Sequence, residues 1–358
     1  MEELKEVVKN LPNGKAPGLD GVCYEHVKIG GGTLLSNMLS LFNMIITEEK
    51  IPASFKIAIK IPIPKSHNAK NSGFDDHRGI SLLPAFDKIL QRIILNRIQS
   101  LPPTQIHSLQ GAYQKEQDAL TTAFMIDESI KSCCDEGDCV YACFVDIRKA
   151  FDKMWIDAML YKLFHKAGIK GKCWRIIRSW YSNMSELVHI NGAYSRIYNL
   201  RQGTRQGGIL SPWLFLVYIN DLIYELENTG WSLFLYNKHF GSPMFADDLT
   251  LLSRVKKSLD RLLCCLHNYA IKWRIELNIN KTVIMVFGEK IISSIGSERT
   301  WLLGDSPLRE SDTWKNLGKL WHADPDFTEV VRATMNKGFD VISKLSKLGC
   351  KAGGLNPK

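Results

Sequence analysis

Residues 244–253 read MFADDLTLLS, a β-prone apolar run interrupted by two adjacent aspartates, Asp247 and Asp248. This pair constrains the fold more than any other feature, because an ionised carboxylate removed from water without a partner is strongly penalised and usually neutralises instead. Two arrangements meet that cost. In one, Asp247 and Asp248 are the solvated tip of a hairpin between strands 243–246 and 249–253, aspartate being a favoured turn residue. In the other, a bound cation holds both side chains in their charged form. The ten residues alone leave both open.

The chain around them has the composition of a folded protein: of 358 residues, 45% are apolar and 23% charged. Lys and Arg number 46 against 37 Asp and Glu, and the formal charge of +9 favours polyanionic partners such as nucleic acid. Nine cysteines fall without a CxxC pair or a histidine cluster at zinc spacing, and read as reduced, mostly buried thiols of an intracellular protein, nuclear or cytoplasmic. The N-terminal MEELKEVVKN is charged and helix-like, and no apolar run reaches bilayer length, so neither secretion nor a membrane partner is expected. Nothing in the sequence points to an oligomer.

Periodicity predicts an α+β fold. Residues 33–48 and 84–99 carry apolar residues at helical spacing, and KIAIKIPIPKS at 56–66 alternates like a strand whose prolines suit an edge. CVYACFVDI, 139–147, reads as a strand ending at Asp146, with Asp152 capping a helix over 153–167 that Gly168 stops. A helix follows at 172–181, then Asn191-Gly192 between β-prone runs, a strong hairpin signal. After the basic glycine-rich loop RQGTRQGGIL, Ser211-Pro212 opens a helix running to about Asn228. A further helix is expected over 258–275 and a buried strand at VIMVF, 283–287. This order suggests an antiparallel sheet with helices packed on one face.

Within such a sheet Asp146 and the pair Asp247 and Asp248 would converge. Three carboxylates meeting at one edge repel each other unless a divalent cation sits among them, and carboxylate oxygen is the ligand Mg²⁺ prefers. Two such ions activate an attacking oxygen and stabilise a leaving one in phosphoryl or nucleotidyl transfer. The residues thus point to two-metal chemistry on a phosphate substrate.

Several further blocks stand in order around these aspartates: NGKAPGLDG (13–21), HRGISLLPAFDKIL (77–90), FVDIRKAFD (144–152), GTRQGGILSP (203–212), FADD (245–248), LNINKTVIMVF (277–287) and WKNLG (314–318). Together they resemble the reverse transcriptase domain of non-LTR, LINE-type retrotransposons. The last five correspond to that family's motifs A to E, and the match spans about residues 10–320, far more specific than a lone ADD tripeptide. His77-Arg78-Gly79 departs from the family's usual Tyr-Arg-Pro, and Gly208-Ile209 from its common Cys-Pro.

The resemblance implies a right-hand polymerase. Fingers with an N-terminal extension would occupy 1–138; a palm with an antiparallel sheet backed by helices would occupy 139–311, with a fingers insertion at 156–199; motif E and a truncated thumb would occupy 312–358. Asp146, Asp247 and Asp248 become ligands of two Mg²⁺ ions, with Mn²⁺ a possible substitute, and Lys281 the acid that protonates pyrophosphate. Lys65 and Arg78 match contacts to the incoming triphosphate, and Gln206 and Gly207 the pair that positions nucleotide and template. Phe151, which spacing alone leaves equally a core aromatic, matches the gate that excludes a ribose 2′-hydroxyl. Arg205 is either a phosphate contact or a surface charge, and Trp314, Leu317 and Gly318 are weaker template or primer contacts. The implied activity is RNA-directed DNA synthesis from an RNA template, a DNA primer and deoxynucleoside triphosphates. The alternative is a truncated or domesticated remnant that binds nucleic acid without catalysis.

Overall fold

A computed structural model of the chain describes residues 1–65, 76–100, 105–288 and 300–323, with a few helical positions between 332 and 343. The helices are α1 (Glu2–Lys9), α2 (Tyr24–Ile29), α3 (Gly31–Glu48), α4 (Ala85–Gln99), α5 (Ala119–Asp135), α6 (Ala150–Lys153), α7 (Ile156–His165), α8 (Gly171–Tyr181), α9 (Ser211–Asn228) and α10 (Lys256–Trp273). The strands are β1 (Ile57–Pro64), β2 (His77–Leu82), β3 (Val140–Asp146), β4 (Ser185–Ile190), β5 (Ala193–Tyr194), β6 (Tyr198–Asn199), β7 (Phe234–Leu235), β8 (Lys238–His239), β9 (Met244–Phe245), β10 (Asp248–Ser253), β11 (Val283–Phe287), β12 (Leu302–Leu303), β13 (Ser306–Pro307), β14 (Arg309–Glu310), β15 (Thr313–Asn316) and β16 (Lys319–His322). The fold class is α+β, as periodicity predicts.

The chain divides into two compact units. The first comprises Met1–Tyr113, Ile147–Glu225 and Asn268–Leu277. Its sheet runs β2-β1-β4-β5, with β1 antiparallel to β2 and parallel to β4, and β6 also on β4. The prolines of β1 explain its shape: β4 pairs only Ile57 to Lys60, so Pro62 and Pro64 lie where the strand has β2 alone beside it and their missing N–H groups go unneeded. The expected edge is therefore half an edge. Asn191 and Gly192, both at positive φ (51° and 80°), make the two-residue turn between β4 and β5 that twist-matched hairpins favour.

The helix expected over 153–167 is corrected. The chain forms the short α6, breaks at Met154 and Trp155, and resumes as α7, with Lys149 at φ 50° entering the first turn. Asp152 lies inside α6 and caps nothing; its carboxylate goes to Lys60 and Gln206 instead. On α7, Lys162 is fully buried. Its ammonium donates to the Tyr218 carbonyl, Asp221 Oδ1 and the Tyr269 hydroxyl, each at 2.7 Å, and lies 3.9 Å from the centre of the Trp273 ring. Burial lowers this ammonium to about 8, with Asp221 opposing the shift.

The second unit comprises Gln114–Asp146, Leu226–His267 and Asn278–Lys358. Its sheet runs β14-β11-β3-β10-β9, antiparallel except at the β14 edge, where β11 and β14 are parallel. One face of α5 (Ala123, Ile126, Ile130, Cys133) packs on Val140, Ala142 and Phe144 of β3 and on Val283, Met285 and Phe287 of β11. These strands are apolar on both faces, as a sheet with both sides covered requires. The turn of the β15 and β16 hairpin is Leu317-Gly318, both at positive φ. Residues beyond Ala323 assigned to the truncated thumb lie outside the described residues, apart from the helical positions noted above.

Among the described residues every cysteine is a free thiol, but only Cys133 and Cys143 are buried, fewer than expected. Among these residues, too, no helix is long and apolar enough to cross a membrane.

Candidate functional site

The site of the second unit is set by strand register. In the β3 and β10 ladder Asp248 is directly opposite Asp146, and Asp248 also pairs Phe245 across the hairpin. The hairpin tip is therefore Ala246-Asp247, not Asp247-Asp248 as the sequence suggested. The reason lies in the backbone: Ala246 takes φ 56°, the left-handed conformation that the first position of a tight hairpin turn demands, which moves the bend one residue upstream. Asp248 is thereby pulled into the ladder, its side chain on the same face as that of its partner Asp146.

All three aspartates are half-buried. Burial first, then the charges of Asp247 and Asp146, push the Asp248 carboxyl up to about 6. Among the described residues the three do not gather one oxygen each within 4.8 Å of one another. A half-buried set of acids in which burial and like charges drive Asp248 towards neutrality suits a hard divalent cation, which would favour the charged form of Asp248. Asp146, Asp247 and Asp248 are the residues that would hold it.

A further residue holds Asp146. The side-chain amide of Asn278 donates to Asp146 Oδ2 at 2.9 Å, and its backbone N–H donates to the Asp146 carbonyl at 2.8 Å. Thr282, fully buried, turns its hydroxyl to the Asn278 carbonyl at 2.9 Å. Sequence reasoning passed over Asn278 although it stands in LNINK, where an asparagine just before a buried strand is the available signal. Lys281, in the same 3₁₀ turn, is exposed.

The remaining expected residues of the nucleotide site lie in the first unit. Lys65 and Arg78 are both exposed near the outer end of the β1 and β2 ribbon, where the Lys65 N–H donates to the Asp76 carbonyl at 2.9 Å. Phe151 is half-buried and stacks on Phe215, ring centres 5.0 Å apart. Gln206 and Gly207 are seated on β2: the Ser81 N–H donates to the Gln206 carbonyl at 2.7 Å, and a Cβ on Gly207 would stand 2.3 Å from the Ser81 carbonyl oxygen. Gly207 has φ 138°, so both space and backbone demand glycine here.

Arg205 is not a surface charge. It is 5% exposed and its guanidinium donates to the carbonyls of Phe55, Lys56 and Ser185, which commits it to fastening the loop on the sheet. In the second unit, Trp314 and Leu317 pack against the core cluster around Phe144, and Gly318 is exposed in the turn.

The profile of the family described as "Reverse transcriptase (RNA-dependent DNA polymerase)" matches residues 63–319. Over 312 residues the chain is 26% identical to a probable RNA-directed DNA polymerase from transposon BS of Drosophila melanogaster, covering 82% of this chain and 33% of that protein. It is 24% identical over 356 residues to the RNA-directed DNA polymerase from mobile element jockey of Drosophila funebris, covering 97% of this chain and 38% of the relative. A Pol polyprotein from type-1 retrotransposable element R2 of Popillia japonica is 25% identical over 284 residues. The chain thus spans well under half the length of these relatives.

Proposed function

The chain belongs to the reverse transcriptase (RNA-dependent DNA polymerase) family, and on that premise we propose that it extends a DNA primer with deoxynucleotides on an RNA template, as a polymerase of the non-LTR lineage. The observation that carries this reading is the pairing of Asp146 with Asp248 across the ladder, beside Asp247 in the turn. Mg²⁺ bound there supplies activation of the primer 3′-oxygen and charge neutralisation on the departing pyrophosphate, with Mn²⁺ a possible replacement. The fingers, palm and partial thumb assignment given above follows from the same reading, as does an intracellular site of action.

The protein's own residues divide the remaining work. Asn278 keeps the Asp146 carboxylate oriented. Lys65 and Arg78 bind the triphosphate, the first as a point charge and the second as a forked donor. Phe151 excludes a ribose 2′-hydroxyl by its bulk, with its ring backed by Phe215, on which it stacks. Gln206 and Gly207 align nucleotide and template, glycine admitting a close backbone approach. Lys281 protonates the leaving pyrophosphate. Contacts to the nucleic-acid backbone make binding strongly salt-dependent.

The test is primer extension on an RNA template with Mg²⁺ and labelled deoxynucleotides at low salt, beside Asp247→Ala. Extension by the parent and none by the variant is the expected result. Equal extension by both, or none by the parent, rejects the enzyme reading and leaves the non-catalytic remnant.

A further inference from the structure

The β1 and β2 ribbon carries the departure noted above, glycine at 79 where the family usually has proline, and the geometry accounts for it. A Cβ at Gly79 would meet Cε of Lys60 at 2.2 Å, with Cδ and Cγ at 3.2 and 3.3 Å. The Lys60 stem lies across the backbone of residue 79, and a proline ring, which has its own Cβ, would occupy the same space. Stretched over the glycine, the Lys60 ammonium reaches Asp152 Oδ1 at 3.3 Å and Glu186 Oε2 at 3.4 Å. Glu186 is 1% exposed and also accepts from Ser81 Oγ at 2.8 Å and the Tyr198 hydroxyl at 3.3 Å, so this end of the lysine is anchored.

The other Asp152 oxygen accepts from Gln206 Nε2 at 3.4 Å. An ionised carboxylate only accepts hydrogen bonds, so Asp152 decides which way the Gln206 amide faces: Nε2 towards Asp152, leaving the Oε1 acceptor for a ligand. Without Lys60, Asp152 would lose its counter-charge and its reason to present one oxygen to Gln206. We propose that Lys60 is a positioning residue for the nucleotide and template loop, orienting Gln206 through Asp152, and that Gly79 is present to let the Lys60 side chain pass. This inference rests on the reading of Gln206 as a nucleotide or template contact.

Single-nucleotide extension by Lys60→Met, Gly79→Ala, Gln206→Ala and their pairs tests it. Lys60→Met should raise the KM for the deoxynucleotide roughly tenfold while kcat stays within about twofold, the signature of lost ground-state positioning. Gly79→Ala should do the same by displacing the flexible end of Lys60, and adding it to Lys60→Met should cost nothing more. Either change should add nothing to Gln206→Ala; effects that multiply overturn the proposal, as does an unchanged KM in Lys60→Met. Because Lys60→Met leaves the buried Glu186 without its counter-ion, the pair Lys60→Met with Glu186→Gln serves where the single variant does not fold, with the same KM rise expected. Normal KM in Gln206→Ala rejects the role of Gln206 itself. If the parent extends no primer, the proposed function falls, and the link is then decided by urea melts, in which coupled Lys60→Met and Gln206→Ala midpoints support it and additive ones overturn it.

Discussion

Replacing Asp248 by asparagine, which removes the charge and keeps a polar side chain of the same size, should stabilise this protein in the absence of divalent metal, the reverse of what most substitutions do. The carboxyl rises from an ordinary 3.8 to about 6, because burial and the charges of Asp247 and Asp146 disfavour its ionised form. A rise of that size corresponds to about 3 kcal/mol. The group is half-buried and partly screened by water, so about 1 to 2 kcal/mol is the expected share of stability.

The sign follows from linkage: the folded chain holds this proton at a higher pH than the unfolded chain does. The penalty is therefore absent below about 4, grows between about 4 and 6 and is fully present above about 6. In EDTA at pH 7.5, Asp248→Asn should melt a few degrees above the parent, and at pH 4.5 the two should nearly coincide. Adding Mg²⁺ at pH 7.5 should raise the melting temperature of the parent more than that of the variant, and raise the parent less at pH 5 than at pH 7.5, since bound metal competes with the proton. A variant that melts below the parent at pH 7.5 in EDTA, or a Mg²⁺ effect indifferent to pH, refutes the argument that like charges crowd this strand end.

Three other outcomes follow from the same geometry. Phe151→Val should raise ribonucleotide incorporation relative to deoxynucleotide incorporation in matched extension assays; unchanged sugar selectivity would return Phe151 to the role of an aromatic packed on Phe215. Gly207→Ala, whose Cβ would stand 2.3 Å from a backbone oxygen at φ 138°, should shift the loop off β2 and reduce extension at least tenfold, with far-UV circular dichroism unchanged. Lys162→Met should lower stability by about 3 kcal/mol in urea melts, because Asp221 and Tyr269 keep their buried polar groups without the cation between them.

Legibility in the sequence followed the physics of each signal. Apolar periodicity placed α3, α4, α8, α10 and β11 to within a few residues, since burial of one face or of a whole strand imprints a pattern that needs no knowledge of the rest of the chain. The Asn191-Gly192 turn was equally plain, because few residues tolerate two successive positive φ values. Asp152 was misread as a cap because the break at Met154 and Trp155 puts the helix start upstream of it, whereas Arg205 and Lys162 were misread or missed because a charged side chain in sequence looks like surface. Whether it is instead clamped by carbonyls, as Arg205 is, or by helices far away in sequence, as Lys162 is, depends on contacts that no local pattern encodes.

The aspartate pair shows how much a single backbone angle decides. Side chains in a strand alternate with a period of two, so a slip of one residue sends each to the opposite face of the sheet. Had the bend fallen at Asp247-Asp248, neither aspartate would be in the ladder, and Asp146 would face no acid across the sheet. Ala246 at φ 56° prevents this, at the conformational cost that a residue with a Cβ incurs in the left-handed region. The adjacent acids of MFADDLTLLS are therefore not interchangeable: Asp247 stands in the turn, outside the ladder, whereas Asp248 is held by ladder pairing on both sides, with β3 and with β9. The register that places Asp248 opposite Asp146 is what sets these two acids on one face of the sheet, where the charge of Asp146 joins burial and the charge of Asp247 in raising the Asp248 carboxyl.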